Sequence, residues 1–230
     1  METIYSNGIE IEVLRSQRRK TLSLEVRHGQ VRVRLPAKLP LHHAEHFVHQ
    51  KSHWIQQKLA DQPPVVKRQF RDGETFLYLG KAYRLNLYPN HSRRQIVLSD
   101  NDLHLAHRGA VVSQTALKRQ ITDWYRQQAT AWLTERCQLQ AHKTRLEPRE
   151  IEVKTYRARW GSCTLSGKIQ LNWKLIMAPE NIIDYVIIHE LCHLQQHNHS
   201  PAFWQLVQHF DPHFRQHRAW LKKHGYQLQL

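Results

Sequence analysis

Cysteine, glycine and long apolar runs are all scarce in this chain of 230 residues. Its three cysteines, Cys137, Cys163 and Cys192, are far apart and form no Cys-x-x-Cys pair, as is typical of proteins in a reducing compartment. The eight glycines include no phosphate-cradling loop, so a phosphate site would have to be built from side chains. No segment approaches the ~18 apolar residues of a membrane span, and the N-terminal residues lack the basic and apolar regions of a signal peptide. We therefore expect a cytoplasmic protein with no membrane segment.

Acidic residues are also few. The chain has 19 Asp and Glu against 34 Lys and Arg, which gives a formal charge of +15 at pH 7. This excess is spread along the chain, and it predicts affinity for polyanions such as nucleic acid, nucleotides or anionic surfaces. A solvated basic surface is the alternative interpretation. The 40% of hydrophobic residues and seven tryptophans are enough to form the core of one large domain or two small ones.

One stretch carries a metal-binding pattern, because His189, Glu190 and His193 form His-Glu-x-x-His. On a helix, residues four apart lie on the same face, so both imidazoles can reach one metal at ~2.0–2.1 Å while the Glu acts as a base toward water. Pro179 and Glu180 are typical of a helix start, and the apolar residues that follow almost surround the predicted helix, as in a core helix. Two His and a Glu in a core are costly unless a partner such as a metal satisfies them.

A hydrolytic zinc site requires a third protein ligand. No Glu follows the motif, and Asp211 is the only later acid, so a downstream Glu ligand is excluded. If the helix continued, His197 would lie ~12 Å along its axis from the first motif histidine, too far to share one ion. His199 is the better candidate, because it lies where the chain must leave the helix and can turn back. Ser200 and Pro201 then predict the N-cap and first position of a new helix.

Further motifs accompany this pattern: Arg159-Trp160-Gly161-Ser162-Cys163, Asn198-His199-Ser200-x-x-Phe203-Trp204, Leu79-Gly80-Lys81-x-Tyr83 and Arg18-Arg19-Lys20-Thr21. Together they resemble the YgjP-like family of predicted metal-dependent hydrolases, which is related to the SprT-type zinc peptidases, over most of the chain. The resemblance implies a zincin-type C-terminal domain in which zinc, or another divalent metal in its place, is bound by His189, His193 and His199. It also implies that Glu190 is the catalytic base. The ligand spacing equals that of the metzincins, but Gln196 stands where their turn glycine would be, so their fold is not implied.

Alternating apolar and polar residues predict antiparallel strands at 9–14, 21–26 and 31–35, and further strands at 74–79, 82–88 and 95–99. Residues 41–59 are predicted to form one helix with Trp54 on its buried side, followed by a linker at 61–64. A stripe of histidines lines the opposite face of that helix: His42, His46, His49 and His53. A second metal and polyanions are its candidate ligands, although exposed imidazoles need no ligand. No internal repeat is visible.

The second half of the chain is predicted to contain a helix at 110–140, strands at 151–156 and 168–176, and a basic final helix at 213–224. In zincins a strand like 168–176 lines the cleft, where an extended peptide can pair with it. We predict an α+β protein with two domains. Residues 1–109 form a β-rich N-terminal domain with one long helix, and residues 110–230 form a zincin-like helical domain with a short antiparallel sheet.

Four charged residues are candidates for supporting roles in the site. Arg157 and Arg159 are either surface charges or side chains that hold an anionic substrate near the metal. Asp184 and Asp211 are carboxylates that could orient a ligand imidazole through its second nitrogen.

Three functions are compatible with these features. The first is a zinc-dependent hydrolase of the metallopeptidase type, acting on peptides with Glu190 as general base. The second uses the same site as a nucleoside triphosphate pyrophosphatase, since the YgjP-like resemblance also extends to UTP pyrophosphatase chemistry. The third is a DNA-associated binding module with structural zinc. The open position that three ligands leave on zinc, and the retained Glu, favour catalysis.

Overall fold

The computed structural model describes residues 2–27, 29–60, 68–92 and 95–230, and the linker predicted at 61–64 lies outside them. The strands are β1 (Glu2–Ser6), β2 (Ile9–Ser16), β3 (Ser23–Arg27), β4 (Gln30–Pro36), β5 (Thr75–Tyr78), β6 (Lys81–Tyr88), β7 (Gln95–Ser99), β8 (Asp102–Ala106), β9 (Glu150–Lys154), β10 (Gly161–Cys163) and β11 (Lys168–Asn172). The α-helices are α1 (Leu41–Gln50), α2 (Ser52–Ala60), α3 (Gln114–Thr144), α4 (Glu180–Cys192), α5 (Pro201–Phe210) and α6 (Phe214–His224). Two 3-10 helices follow β11 and α6, at Trp173–Met177 and Gly225–Gln227. The protein is therefore a mixed α+β structure.

The first two sheets share one topology. Their strand orders are β1-β2-β4-β3 and β5-β6-β8-β7, and in each sheet the central pair is parallel while both outer pairs are antiparallel. The first hairpin of each sheet closes through a two-residue turn, Asn7-Gly8 or Leu79-Gly80, in which both φ angles are positive, as in type I′ turns. The antiparallel expectation is therefore wrong for β2 and β4. A structural repeat is present without a visible sequence repeat, because different alternating sequences satisfy the same backbone topology.

The helix predicted over 41–59 is divided in two at Lys51. Ala44, Val48 and Ile55 are buried as predicted, but Trp54 is 39% exposed. The prediction that Trp54 is buried assumed one continuous helix with a single apolar face. It is wrong because the break at Lys51 ends that face. The stripe of His42, His46, His49 and His53 is exposed. Among the residues that the structure describes, this stripe contributes to no group of side chains that could hold a metal.

The chain divides into two compact units, Met1–Lys67 and Arg68–Leu230, rather than at the predicted 109/110 boundary. The reason is that the β5–β8 sheet belongs to the core of the second unit. Apolar side chains of this sheet share one buried cluster with those of α3: Phe76, Leu85, Leu103, Leu105, Leu117, Ile121 and Tyr125. The first unit has its own core, built from β-strand and α1–α2 side chains.

The third sheet, ordered β10-β11-β9, packs against α4, the helix that carries the metal motif. The strand predicted at 168–176 ends at Asn172, whose side-chain oxygen accepts a hydrogen bond from the Lys174 N–H and starts the 3-10 helix. The same amide donates to the carbonyls of Tyr156 and Arg159. In the order β10-β11-β9 the central strand is β11, and β10 is an edge strand. Because β11 pairs antiparallel with β10 but parallel with β9, the predicted antiparallel arrangement of this sheet is only partly correct.

The turn at Leu79-Gly80 holds the start of α4. The Leu79 N–H donates to the Ile176 carbonyl at 2.7 Å, and the Gly80 N–H donates to the Met177 carbonyl at 3.3 Å. A Cβ on Gly80 would lie 2.8 Å from the Cα of Pro179, the N-cap of α4. This close approach, together with a φ of +78°, requires glycine.

As predicted, α4 is a core helix, with nine buried residues among its thirteen. None of the helices in the described part of the chain combines the length and apolarity that a membrane span requires.

Candidate metal centre

Two helices and the loop between them bring the three predicted ligands together. His189 lies in the last turn of α4, His193 is its C-cap, and His199 stands in the connection to α5. As predicted, Ser200 is the N-cap of α5: its hydroxyl accepts a hydrogen bond from the Phe203 N–H, and Pro at the first position follows. One potential ligand nitrogen of each histidine lies within 4.8 Å of the others. His197 lies outside this group.

The geometry of the imidazoles and the protonation of two of them, His189 and His193, fit a bound metal. The Nε2 atoms of His189 and His199 are 3.1 Å apart, close to the ~3.3 Å expected of two nitrogens at ~2.05 Å from one tetrahedral zinc. The Nδ1–H of His193 can donate to the Gln196 carbonyl at 2.9 Å, which leaves its Nε2 lone pair free. Burial, reinforced by the neighbouring imidazoles, lowers the pKa of His189 to about 3 and also lowers the pKa of His193. These two histidines are therefore neutral, as ligands must be.

Aromatic packing holds the three rings. Phe203 is completely buried, and its ring centroid lies 4.9, 4.4 and 4.8 Å from those of His189, His193 and His199. Trp204 stacks on His199 with ring centroids 5.6 Å apart. The family motif therefore places one ring against all three histidines and a second ring against His199.

Glu190 is buried against the backbone of β10. Glu190 is only 6% exposed. Burial raises the pKa of its carboxyl group to about 8, and the positive charge of Arg159 acts to lower that pKa. A Cβ on Gly161 would lie 2.7 Å from both the Cγ and an Oε atom of Glu190. Gly161 is thus the residue that lets the edge strand approach the carboxyl group.

Gly161→Ala should displace Glu190 and lower kcat ~10–100-fold, because misplacing a catalytic group by about 1 Å has effects of that order. Metal content should stay the same, since the three atoms nearest to an added Cβ on Gly161 all belong to Glu190. The measurement is steady-state turnover with metal analysis. In a Glu190→Gln background the same substitution should cause little further loss. A full additional loss in that background would show that Gly161 acts by another route.

A cleft of about 620 Å³ opens at the three histidines and Glu190. β10 contributes Gly161, Ser162 and Cys163 to its wall. The strand that lines the cleft is therefore β10, not the predicted 168–176 segment. Its apolar lining includes Trp160, Leu165 and Leu221.

The cationic residues of the cleft are only partly those predicted. Arg159 lines the cleft, but Arg157 is not among the lining residues. Arg218 and Lys222, both on α6, line it as well, and sequence analysis missed them. Their i, i+4 spacing on a basic helix was the available indication that they share one face.

The two carboxylates predicted to orient a ligand imidazole, Asp184 and Asp211, are bonded to other partners. Asp184 accepts two 2.7 Å hydrogen bonds from the Arg136 guanidinium, and Asp211 pairs with Nδ1 of His217 at 2.8 Å. Neither carboxylate is hydrogen bonded to a predicted ligand, so the structure differs from that prediction. The Nδ1 of His189 is buried with no hydrogen-bond partner among the described residues. Packing, rather than a carboxylate, therefore orients the His189 ring.

Asp184→Asn should destabilise the fold by about 1–3 kcal/mol, because it breaks a charged bidentate pair between α3 and α4. The side chains of Arg136 and Asp184 are only 25% and 20% exposed. Zinc affinity should remain that of the wild type. Chemical denaturation and zinc titration measure the two quantities. Asp123→Asn is the matched control with an expected change below about 0.5 kcal/mol, since its 3.9 Å contact with Arg126 is exposed. Weakened zinc binding by Asp184→Asn would show that Asp184 does help to orient a ligand imidazole.

Comparisons with known proteins agree with the motifs. The family model described as "YgjP-like, metallopeptidase domain" matches residues 20–224. A 63-residue segment is 33% identical to a UTP pyrophosphatase of Escherichia coli (strain K12), covering 25% of this chain and 38% of that protein. The matched segment thus spans well under half of that relative. The crystal structure of the metallopeptidase zymogen of Pyrococcus abyssi abylysin aligns with a TM-score of 0.36 and 19% identity, over 39% of this chain and 93% of that chain.

Proposed function

The chain belongs to the YgjP-like family, and on that premise we propose that it is a zinc-dependent hydrolase of the metallopeptidase type, with Glu190 as general base. Family membership supports a metal-dependent hydrolase. The observation that carries the finer proposal is the convergence of His189, His193 and His199 beside the buried carboxyl group of Glu190, in one open cleft. The same three histidines would hold another divalent metal in place of zinc.

When bound, the metal supplies Lewis-acid polarisation of the substrate and makes water more acidic. The side chains of this protein have separate tasks. Glu190 takes a proton from water and delivers it to the leaving group, and Gly161 leaves space for its carboxyl group. His193 is held in the correct tautomer by the Gln196 carbonyl. Phe203 excludes water behind the imidazoles.

The position of β10 at the edge of its sheet favours a peptide as the substrate. β10 pairs on one side with β11, and in the three-stranded sheet its other side has no strand neighbour. An extended peptide can add to such an edge through main-chain hydrogen bonds. Leu165, at the cleft and 86% exposed, supplies an apolar contact beyond the strand end.

Nucleoside triphosphate pyrophosphatase activity is the second candidate. It is favoured by the three cationic side chains of the cleft, Arg159, Arg218 and Lys222, which match a phosphate chain. The UTP pyrophosphatase named among the similar proteins agrees with it, although only part of that protein is matched. Binding of nucleic acid remains a prediction from the net charge alone.

One experiment decides between the two substrates. Protein loaded with zinc, manganese or magnesium is tested on an unstructured peptide library and on a panel of nucleoside triphosphates, with Glu190→Gln as the control. Glu190-dependent peptide cleavage supports the peptidase, and Glu190-dependent pyrophosphate release supports the second candidate. Absence of both activities from protein that carries one equivalent of metal would contradict the hydrolase proposal.

A further inference from the structure

Tyr185 is a buried tyrosine whose hydroxyl has no partner within the protein. The residue is only 5% exposed, and it lines the metal cleft. Its hydroxyl forms no hydrogen bond with any of the described residues, although the oxygen retains contact with solvent. A buried tyrosine hydroxyl usually has a hydrogen-bond partner. For Tyr185, the cleft is therefore where such a partner would lie.

Aromatic packing holds the ring of Tyr185 beside the metal centre. Tyr185 precedes His189 by one turn of α4, so the two side chains lie on the same face of the helix. Their ring centroids are 6.0 Å apart. The Tyr185 ring also lies 6.3 Å from that of His217 on α6. Contacts from two helices therefore restrict the ring, and with it the position of the hydroxyl relative to the predicted ligand.

The polar groups next to this ring already have partners. Nδ1 of His217 pairs with Asp211 at 2.8 Å, and its Nε2 contacts the side-chain amide of Asn181 at 3.1 Å. The other carboxylate oxygen of Asp211 accepts a hydrogen bond from the His213 N–H at 3.1 Å. The Tyr185 hydroxyl consequently stays available to a molecule in the cleft.

Two charged residues of the cleft act on the same hydroxyl. Burial raises the pKa of Tyr185 to about 12, while the positive charge of Arg218 lowers that pKa and the negative charge of Glu190 raises it. Both residues line the cleft with Tyr185. The hydroxyl is therefore within electrostatic reach of the proposed general base, on the metal side of the cleft.

We infer that Tyr185 is a further catalytic residue, whose hydroxyl donates a hydrogen bond to the substrate oxygen that gains negative charge in the transition state. This inference rests on the proposed function, because it takes hydrolysis to occur at the three histidines. A tyrosine hydroxyl keeps its proton at neutral pH and is thus a donor to such an oxygen. A donor that is already in position needs no reorganisation when the charge develops.

In peptide hydrolysis this hydrogen bond would act during the first step. Glu190 takes a proton from water, the new C–O bond forms at the scissile carbonyl, and the π pair of that carbonyl moves onto its oxygen. Tyr185 keeps its own proton and donates a hydrogen bond to this oxygen. The C=O bond then re-forms as the C–N bond breaks, and the leaving nitrogen receives the C–N pair and the proton held by Glu190.

Tyr185→Phe removes the hydroxyl and keeps the ring. We expect kcat to fall ~10²-fold, the effect of losing one donor to a developing oxyanion. KM should change less than about twofold, because the hydrogen bond strengthens only in the transition state. Steady-state kinetics on the substrate class that the wild type accepts measure both constants. A wild-type kcat, or a raised KM with an unchanged kcat, would overturn the inference.

Binding of acetohydroxamate tests the same hydroxyl without turnover. This probe carries a charged oxygen next to a carbonyl oxygen, and it is too small to use contacts specific to peptides or nucleotides. Its binding to the Co²⁺-loaded protein is followed by visible absorption. Tyr185→Phe should weaken it ~10-fold, as expected for one hydrogen bond to a charged group, with Co²⁺ affinity unchanged. Unchanged acetohydroxamate affinity would contradict the inference.

The cobalt measurements also separate a catalytic role from a positioning role. An equal loss of Co²⁺ affinity in Tyr185→Phe would mean that Tyr185 acts by positioning His189, and it would overturn the assignment. A wild type that binds Co²⁺ but hydrolyses no substrate would contradict the hydrolase proposal, whereas the acetohydroxamate measurement would still decide whether the hydroxyl is a donor in the cleft.

Tyr125→Phe is the matched control. Tyr125 is also buried, but its hydroxyl donates to the Leu77 carbonyl and the residue does not line the cleft. This variant should lower the melting temperature and leave kcat and acetohydroxamate binding unchanged. Tyr185→Phe should show the opposite pattern, because its hydroxyl has no protein partner to lose. An equal fall in kcat in both variants would mean that a general loosening of the core causes the loss, and it would refute the role of Tyr185.

Discussion

Replacement of Glu190 by Gln is expected to lower kcat ~10²–10⁴-fold, the usual contribution of a positioned general base. Gln has nearly the same shape as Glu and fits the space beside Gly161, but it cannot accept the proton from water. KM should change little, because the carboxyl group is not required to hold the substrate. The measurement is steady-state turnover on whichever substrate class the wild type accepts.

Metal binding shows whether Glu190→Gln has lost only the general base or the whole metal site. Zinc content and thermal stability of Glu190→Gln should equal those of the wild type, since the three histidines are unchanged. Glu190→Asp is a second variant that keeps the acid but withdraws it from the site, and it should recover at most part of the activity. Wild-type turnover by Glu190→Gln would exclude Glu190 as the base, whatever the metal content.

Replacement of His199 by Ala is expected to weaken zinc binding more than ~100-fold, beyond the 10–100-fold typical of losing an outer-shell partner. The ligands His189 and His193 would remain, but the Nε2 atom of His199, which lies 3.1 Å from Nε2 of His189, would be lost. Competition with a chromophoric chelator measures the affinity. His197→Ala is the matched control, because His197 lines the same cleft outside the three-histidine group, and its affinity should stay near that of the wild type.

Thermal stability gives a second measure of zinc binding at this site. A ligand at 1,000 times its dissociation constant stabilises the folded state by about 4 kcal/mol. Zinc should therefore raise the melting temperature of wild type and His197→Ala, and EDTA should reverse the rise. The melting temperature of His199→Ala should respond much less. Equal zinc affinity in the wild type and His199→Ala would contradict the proposed ligand set.

Several local features were predictable because neighbouring residues determine them. The periodic apolar residues of α4 and the cap formed by Ser200 and Pro201 depend on contacts a few positions apart. Together they constrained where the third histidine could lie. The family resemblance added the expected ligand set, and the structure places His189, His193 and His199 together.

Other features required distant parts of the chain to meet. The parallel pairing of β2 with β4, the division after residue 67 and the partner of Asp184 all depend on which surfaces pack together. A propensity pattern carries no information about such partners. The break at Lys51 likewise changed the exposure of Trp54 without any strong helix-breaking residue to indicate it.

The sequence by itself determined the candidate chemistry of this protein: imidazoles at helical spacing, a carboxyl group between them, a capped turn that returns a third histidine, and an excess of positive charge. Only the tertiary structure decided which groups share the cleft. It placed Gly161 against Glu190, brought Arg218 and Lys222 to the metal site, and left Arg157 outside it. The physical reason is that residue types and local periodicity specify what a side chain can do, whereas its neighbours are selected by the packing of the whole core.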